Sequence, residues 1–176
     1  MLNFNILLIK YPSNNHTFVH TNIVDTMKVE EILKTKAKLS IHKKVLINLQ
    51  LTSAQASNEM MCLLKNYGIS VPQFNVLRIL RGQGNKPANL STIQDRMVNK
   101  MSNTTRLVDK LIDKKLADRC ICEENRRKVE ILITQEGLNL LKELDPKVEE
   151  SEKEATKNLS KQELEQLNGL LEKLRS

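Results

Sequence analysis

Most apolar positions along the chain recur at helical spacing, and one stretch alternates instead with a period of two. From about Leu39 to Tyr67, Ile41, Val45, Leu46, Leu49, Met60, Met61, Leu63 and Leu64 follow one another with no Pro or Gly between, which predicts a long helix. Gly68 stops it, because a left-handed residue closes a helix there at little cost. Ser70 is expected to cap a second helix, with Pro72 in its first turn and Phe74, Val76, Leu77 and Leu80 behind. The stretch GQGNKPAN then reads as a loop. Beyond it, Ser91 is expected to cap a short helix reaching Met97. Asn99 should cap the next, whose Leu107, Val108, Leu111 and Ile112 form an apolar face. Two short helices joined by a tight turn make a helix-turn-helix pattern.

After Leu116 the period changes. ADRCICEENRRKVEILIT reads as two strands around a polar turn, with Val129, Ile131 and Ile133 alternating with Lys128, Glu130 and Leu132. A lone hairpin is marginal in water, so this one must pack on the helices as a wing. Thr134 is expected to cap a fifth helix, kinked or interrupted near Pro146. LSKQELEQLNGLLEKL then carries a capping box, Ser160 with Glu163, flanked by a Leu159–Leu164 staple. Its Leu164, Leu167, Leu171 and Leu174 form one stripe. Together with the long first helix, that stripe is more apolar face than one small domain covers, which predicts dimerisation. The expected class is mostly α with a small β-hairpin wing: a winged helix-turn-helix domain plus N- and C-terminal dimerisation helices. Residues 27–68 and 135–176 would supply the dimerisation helices, and 69–134 the winged domain. Residues 1–26 lack periodicity and are expected to form a flexible arm or to precede the true initiator at Met27.

Composition supports the helical reading. Aromatic residues make up only 3% of the chain, Trp is absent, and five Gly with four Pro are too few for a many-stranded sheet. The net charge of +7 is unevenly spread, with the basic excess upstream and an acidic excess after Gln135. That asymmetry suits a polyanion such as nucleic acid, although solvated helices also carry charge of either sign. No segment approaches the ~20 apolar residues of a membrane span. MLNFNILLIK makes a poor signal peptide. Three unpaired-looking cysteines suit a reduced, cytoplasmic setting.

One stretch mixes two kinds of sequence. NKMSNTTRLVDKLIDKKLADR begins small and polar and ends as an amphipathic helix. Asn, Ser and Thr at the amino end let the backbone approach DNA closely and can read base edges or bind phosphate. They also cap ordinary solvated helices. The neighbouring elements favour recognition, with Ser102, Asn103, Thr104 and Thr105 at the polar end. Arg106, one turn in, is able to reach a guanine or a phosphate. At the hairpin tip, Arg126, Arg127 and Lys128 repel one another unless an anion is near, as a DNA groove would provide. Glu123 and Glu124 beside them could instead neutralise the turn locally.

From about Leu39 to Ser176 the chain resembles the MarR family of winged helix-turn-helix transcriptional regulators. TIQDRMVNKMSNTTRLVDKLIDKKLADR, NRRKVEILITQEG and YGISVPQFNVLRIL carry the resemblance. It implies a homodimeric regulator of double-stranded DNA, expected to be a repressor on a pseudo-palindromic operator. Lys100, Ser102, Asn103, Thr104, Thr105, Arg106 and Lys110 would form the recognition helix's DNA-binding set, and Arg126, Arg127 and Lys128 that of the wing. The family often has Asp before the Arg pair. Here Asn125 stands in that place, so the ion pair that would orient one arginine is absent. The resemblance also implies a small phenolic or lipophilic effector, or control by cysteine oxidation. Cys62 lies near the end of the first helix among Met and Leu, and is expected to be a buried structural thiol. Cys120 and Cys122 are poorly placed for a mutual disulfide. His16, His20 and His42 are too scattered for a metal site. No nucleophile–base pair or carboxylate dyad points to an enzyme, and no cofactor is expected. The rival classes are a thiol-oxidation sensor and a dimeric winged-helix scaffold that binds protein.

Overall fold

The computed structural model describes residues 28–84, 86–121 and 129–176. By its contacts the chain divides into two units, Met1–Val45 and Leu46–Ser176. In the first, a short helix α1 (Val29–Ile32) is followed by the start of the 25-residue helix α2 (Ile41–Lys65), which continues into the second. A Lys44–Glu30 ion pair of 2.5 Å lies within the first unit.

Gly68 ends α2 with φ +67°, and the Ile69 N–H donates back to Leu64 O at 3.3 Å. Helix α3 (Val71–Arg81) begins with a capping box. Ser70 Oγ accepts from Gln73 N, and Gln73 Oε1 accepts from Ser70 N at 2.9 Å. A two-residue strand β1 (Ala88–Asn89) precedes α4 (Leu90–Arg96) and α5 (Thr104–Asp113). Strands β2 (Ala117–Ile121) and β3 (Val129–Ile133) form the hairpin; α6 (Gln135–Thr156) and α7 (Lys161–Arg175) complete the chain.

The sheet is antiparallel in the order β1-β3-β2, with Ala88 and Arg119 both opposite Ile131. The sequence reading has two strands here. The third hides in the GQGNKPAN loop, where two residues show no periodicity of their own. It is β1 that makes β3 the central strand and buries Ile131 completely.

Aliphatic side chains fill the core, as the scarcity of aromatics requires. Val76 and Leu77 of α3, Ile93 of α4, Val108 and Leu111 of α5, and Leu141 and Leu144 of α6 are all fully buried. Helix α3 lies against α5, β3 and α6, so it is the frame on which the helix-turn-helix is mounted. A bidentate pair, Arg81 to Asp145 at 2.6 and 3.1 Å, fastens α3 to α6. Tyr67 donates to Glu143 at 2.9 Å, and Lys147 donates to both groups, fastening the end of α2 to α6. The Lys147 ammonium, then the Tyr67 hydroxyl, hold the Glu143 carboxyl below the usual carboxylate range.

Three expectations need correction. Of the kink or interruption expected at Pro146, the interruption does not occur, since α6 continues through it. Pro146 and Lys142 are both exposed, so the carbonyl freed by the missing N–H lies on the solvent side. Cys62 is exposed rather than buried, because the neighbouring helices cover the Leu64 side of α2 instead. The two short helices are capped by other residues than expected, as described next. The expectations on residues 1–26, His16, His20, Cys122, Asn125, Arg126, Arg127 and Lys128 lie outside the described residues.

Candidate nucleic-acid interface

Helix α4 is capped by Asn89, not Ser91. Asn89 Oδ1 accepts from Thr92 N at 2.8 Å and from the Ser91 hydroxyl at 2.6 Å. Helix α5 is capped by Asn103, whose Oδ1 accepts from Arg106 N at 3.1 Å. Asn99, the expected cap, is consumed by the turn between the helices. Its Oδ1 accepts from Met101 N at 2.9 Å, and its carbonyl from Ser102 N at 3.2 Å. Lys100, Met101, Ser102 and Asn103 thus precede α5, where an Asn99 cap would have put them inside the helix.

The shift in the cap sorts the candidate residues. Asn103, Thr105, Arg106 and Lys110 are exposed, and Ser102 is half-buried. Ser102, Asn103, Arg106 and Lys110 line one shallow cleft of about 350 Å³ with Pro72 and Leu107. Lys100 is exposed, and its ammonium reaches back to Asp95 O in the last turn of α4, where a cation is favoured. Thr104 is the exception. It is buried, and its hydroxyl donates to Gln94 Oε1, so it faces the protein. On the opposite side of α5, Val108 and Leu111 are fully buried. The helix therefore presents a polar, cationic amino end to solvent and packs its apolar flank.

Sequence reasoning missed Gln94. Its amide donates to Lys100 O and accepts from the Thr104 hydroxyl, so one side chain on α4 fixes both the turn and the first residue of α5. Only the pairing across ten residues reveals it, and no local pattern signals that. Arg119 of β2 pairs with Asp109 of α5, tying the hairpin to the same helix. At the far end of α5, Thr134 N donates to Leu116 O at 3.2 Å and its hydroxyl to Lys115 O at 2.7 Å. The Thr134 hydroxyl also accepts from Gly137 N at 3.1 Å, capping α6 at the same point. Cys120 is half-buried, and its thiol donates to Glu130 O at 3.6 Å. Among the described residues no His, Cys, Asp and Glu cluster could hold a metal ion, and no helix is long and apolar enough to cross a membrane.

The family model for the MarR family matches residues 69–129, which covers α3 through the start of β3. A curated relative, the HTH-type transcriptional repressor IacR of Pseudomonas putida, is 28% identical over 110 residues. That match spans 62% of this chain and 65% of the relative's length. A MarR transcription factor from Planctomyces limnophilus is 30% identical, with a TM-score of 0.61 over 77% of this chain and 98% of that one. Bordetella bronchiseptica BpsR, whose DNA binding is regulated by 6-hydroxynicotinic acid, has the same fold at 21% identity. Its TM-score is 0.69 over 80% of this chain and 99% of that one.

Proposed function

Because the chain belongs to the MarR family, we propose that it is a homodimeric regulator that binds double-stranded DNA sequence-specifically and represses transcription. The observation that carries this reading is the division of α5. Asn103, Thr105, Arg106 and Lys110 are exposed at the solvent side, while Val108 and Leu111 anchor the helix to the core. A recognition helix needs that division, since its amino-terminal residues must reach base edges from a rigid mount. Arg126, Arg127 and Lys128 of the hairpin tip would add phosphate and minor-groove contacts.

Dimerisation follows from the terminal helices. Leu167, Leu170 and Leu174 of α7 are 43%, 65% and 54% exposed, and Leu49 and Met61 of α2 are exposed too. A second copy is the partner that would cover these faces at little cost in specificity. Two-fold symmetry then places two α5 helices in successive major grooves, about 10 bp apart. A small-molecule effector would shift DNA affinity, as the BpsR relative supports. The exposure of Cys62 favours oxidation as a second mode of control. Peroxide-treated wild type and Cys62→Ser separate the two modes. Release of DNA from wild type alone means a thiol switch, and no release removes oxidation as a mode of control.

The function itself is tested by selecting duplexes from a random-sequence pool with the full chain. The expected product is a pseudo-palindrome with half-site centres about 10 bp apart. A pool that stays unenriched refutes sequence-specific binding.

A further inference from the structure

The turn between α4 and α5 carries an exposed apolar side chain that neither the core nor the dimer explains. Met101 is 92% exposed. Nearly all other exposed large aliphatics among the described residues lie on α1, α2, α7 or beside it, where a second copy would cover them. Val98, at 89%, borders a cleft with Arg78 and Arg96 on the α3 side of the turn. Val129 lies on the wing strand. Met101 alone stands between Lys100 and the polar amino end of α5.

Its position is fixed by hydrogen bonds. Met101 N donates to Asn99 Oδ1 at 2.9 Å and Ser102 N to Asn99 O at 3.2 Å. The Gln94 amide holds Lys100 O on one side and the Thr104 hydroxyl on the other. The backbone of the turn is pinned before and after Met101, and the side chain stands in solvent. Met101 stands two residues before Asn103, the cap of the helix whose exposed amino end carries Thr105, Arg106 and Lys110.

Resting on the DNA-binding reading above, we propose that Met101 is a specificity-determining residue that recognises the 5-methyl group of a thymine at the edge of each half-site. In the major groove only thymine offers an apolar group, whereas cytosine and adenine present amines and guanine presents acceptors. A flexible thioether packs on a methyl and gains nothing from the other three edges. Asn103, Thr105 and Arg106 would supply the hydrogen bonds to neighbouring bases.

The probe is the duplex selected from the random pool, with each thymine and its symmetry mate replaced in turn by deoxyuridine. That change removes the methyl and leaves the base-pairing edge intact. Affinity is read by fluorescence anisotropy. One thymine position should lose about fourfold per half-site, about fifteenfold for the symmetric duplex, the worth of one methyl-sized group taken from water. Met101→Ser, checked for folding by circular dichroism, should bind the thymine and deoxyuridine duplexes equally, while Val98→Ser keeps the wild-type discrimination. No sensitive thymine in wild type, unchanged discrimination in Met101→Ser, or its loss in Val98→Ser overturns the assignment. A pool that yields no enriched duplex overturns the DNA-binding reading itself, and this inference with it.

Discussion

Replacing Gly137 by Ala puts a methyl group where two elements nearly touch. A Cβ there would lie 2.3 Å from Leu116 O and 2.8 Å from Ile133 Cγ1, against an ordinary contact of 3.4–4 Å. The Leu116 carbonyl is backbone, so the gap must open by about 1 Å between α6 and the end of α5. Overpacking of this kind costs about 1–3 kcal/mol. Opening the gap also loosens the Thr134 bonds to Leu116 O and Lys115 O, each worth about 1 kcal/mol. The better helix propensity of Ala returns at most about 1 kcal/mol. The net loss is about 2–4 kcal/mol, a large part of a typical domain's stability. Urea unfolding followed by circular dichroism, at one fixed chain concentration, should show the midpoint falling by about 1–2 M. Gly169 is the control. Nothing lies within 4 Å of a Cβ there, and it sits on α7 opposite the leucine stripe. Gly169→Ala should therefore raise stability, by up to about 1 kcal/mol. A Gly137→Ala midpoint equal to or above wild type would refute the close-approach argument.

Three further outcomes are expected. Gln94→Ala should weaken binding to the selected duplex about tenfold, through a turn no longer held for the groove, while costing only ~1 kcal/mol of stability; intact affinity would deny the clamp its role. Leu170→Glu should raise the dimer dissociation constant at least about a hundredfold in sedimentation, since symmetry counts each lost contact twice; an unaffected dimer would remove α7 from the interface. Replacing both Arg126 and Arg127 with Ala should weaken binding to all sequences and flatten the slope of log affinity against log salt. An unchanged slope would remove the wing from DNA.

Much of the fold is legible in the sequence because its signals are local. The Ser70 box, the Gly68 stop, the Thr134 cap and the Ser160 box each need only residues within four positions, and each forms as the pattern implies. What escapes is competition between neighbours. Asn89 and Ser91 both suit a cap, as do Asn99 and Asn103, and the winner depends on which side chain the adjoining turn consumes. The same shift decides the fate of Thr104, which local composition groups with Asn103 and Thr105 but packing turns inward. Strand β1 and the Gln94 clamp rest on partners far along the chain, and no periodicity reports them.

The central claim is that the amino end of α5 reads base edges. Its most direct test is the affinity of wild type and Arg106→Ala for the selected duplex and for a scrambled duplex of equal length and composition, at one physiological salt concentration. Wild type should prefer the selected duplex by at least about a thousandfold. Arg106→Ala should lose about 1–3 kcal/mol of that preference, with its affinity for the scrambled duplex much less affected. Equal binding of both duplexes by wild type, or an undiminished preference in Arg106→Ala, would contradict it.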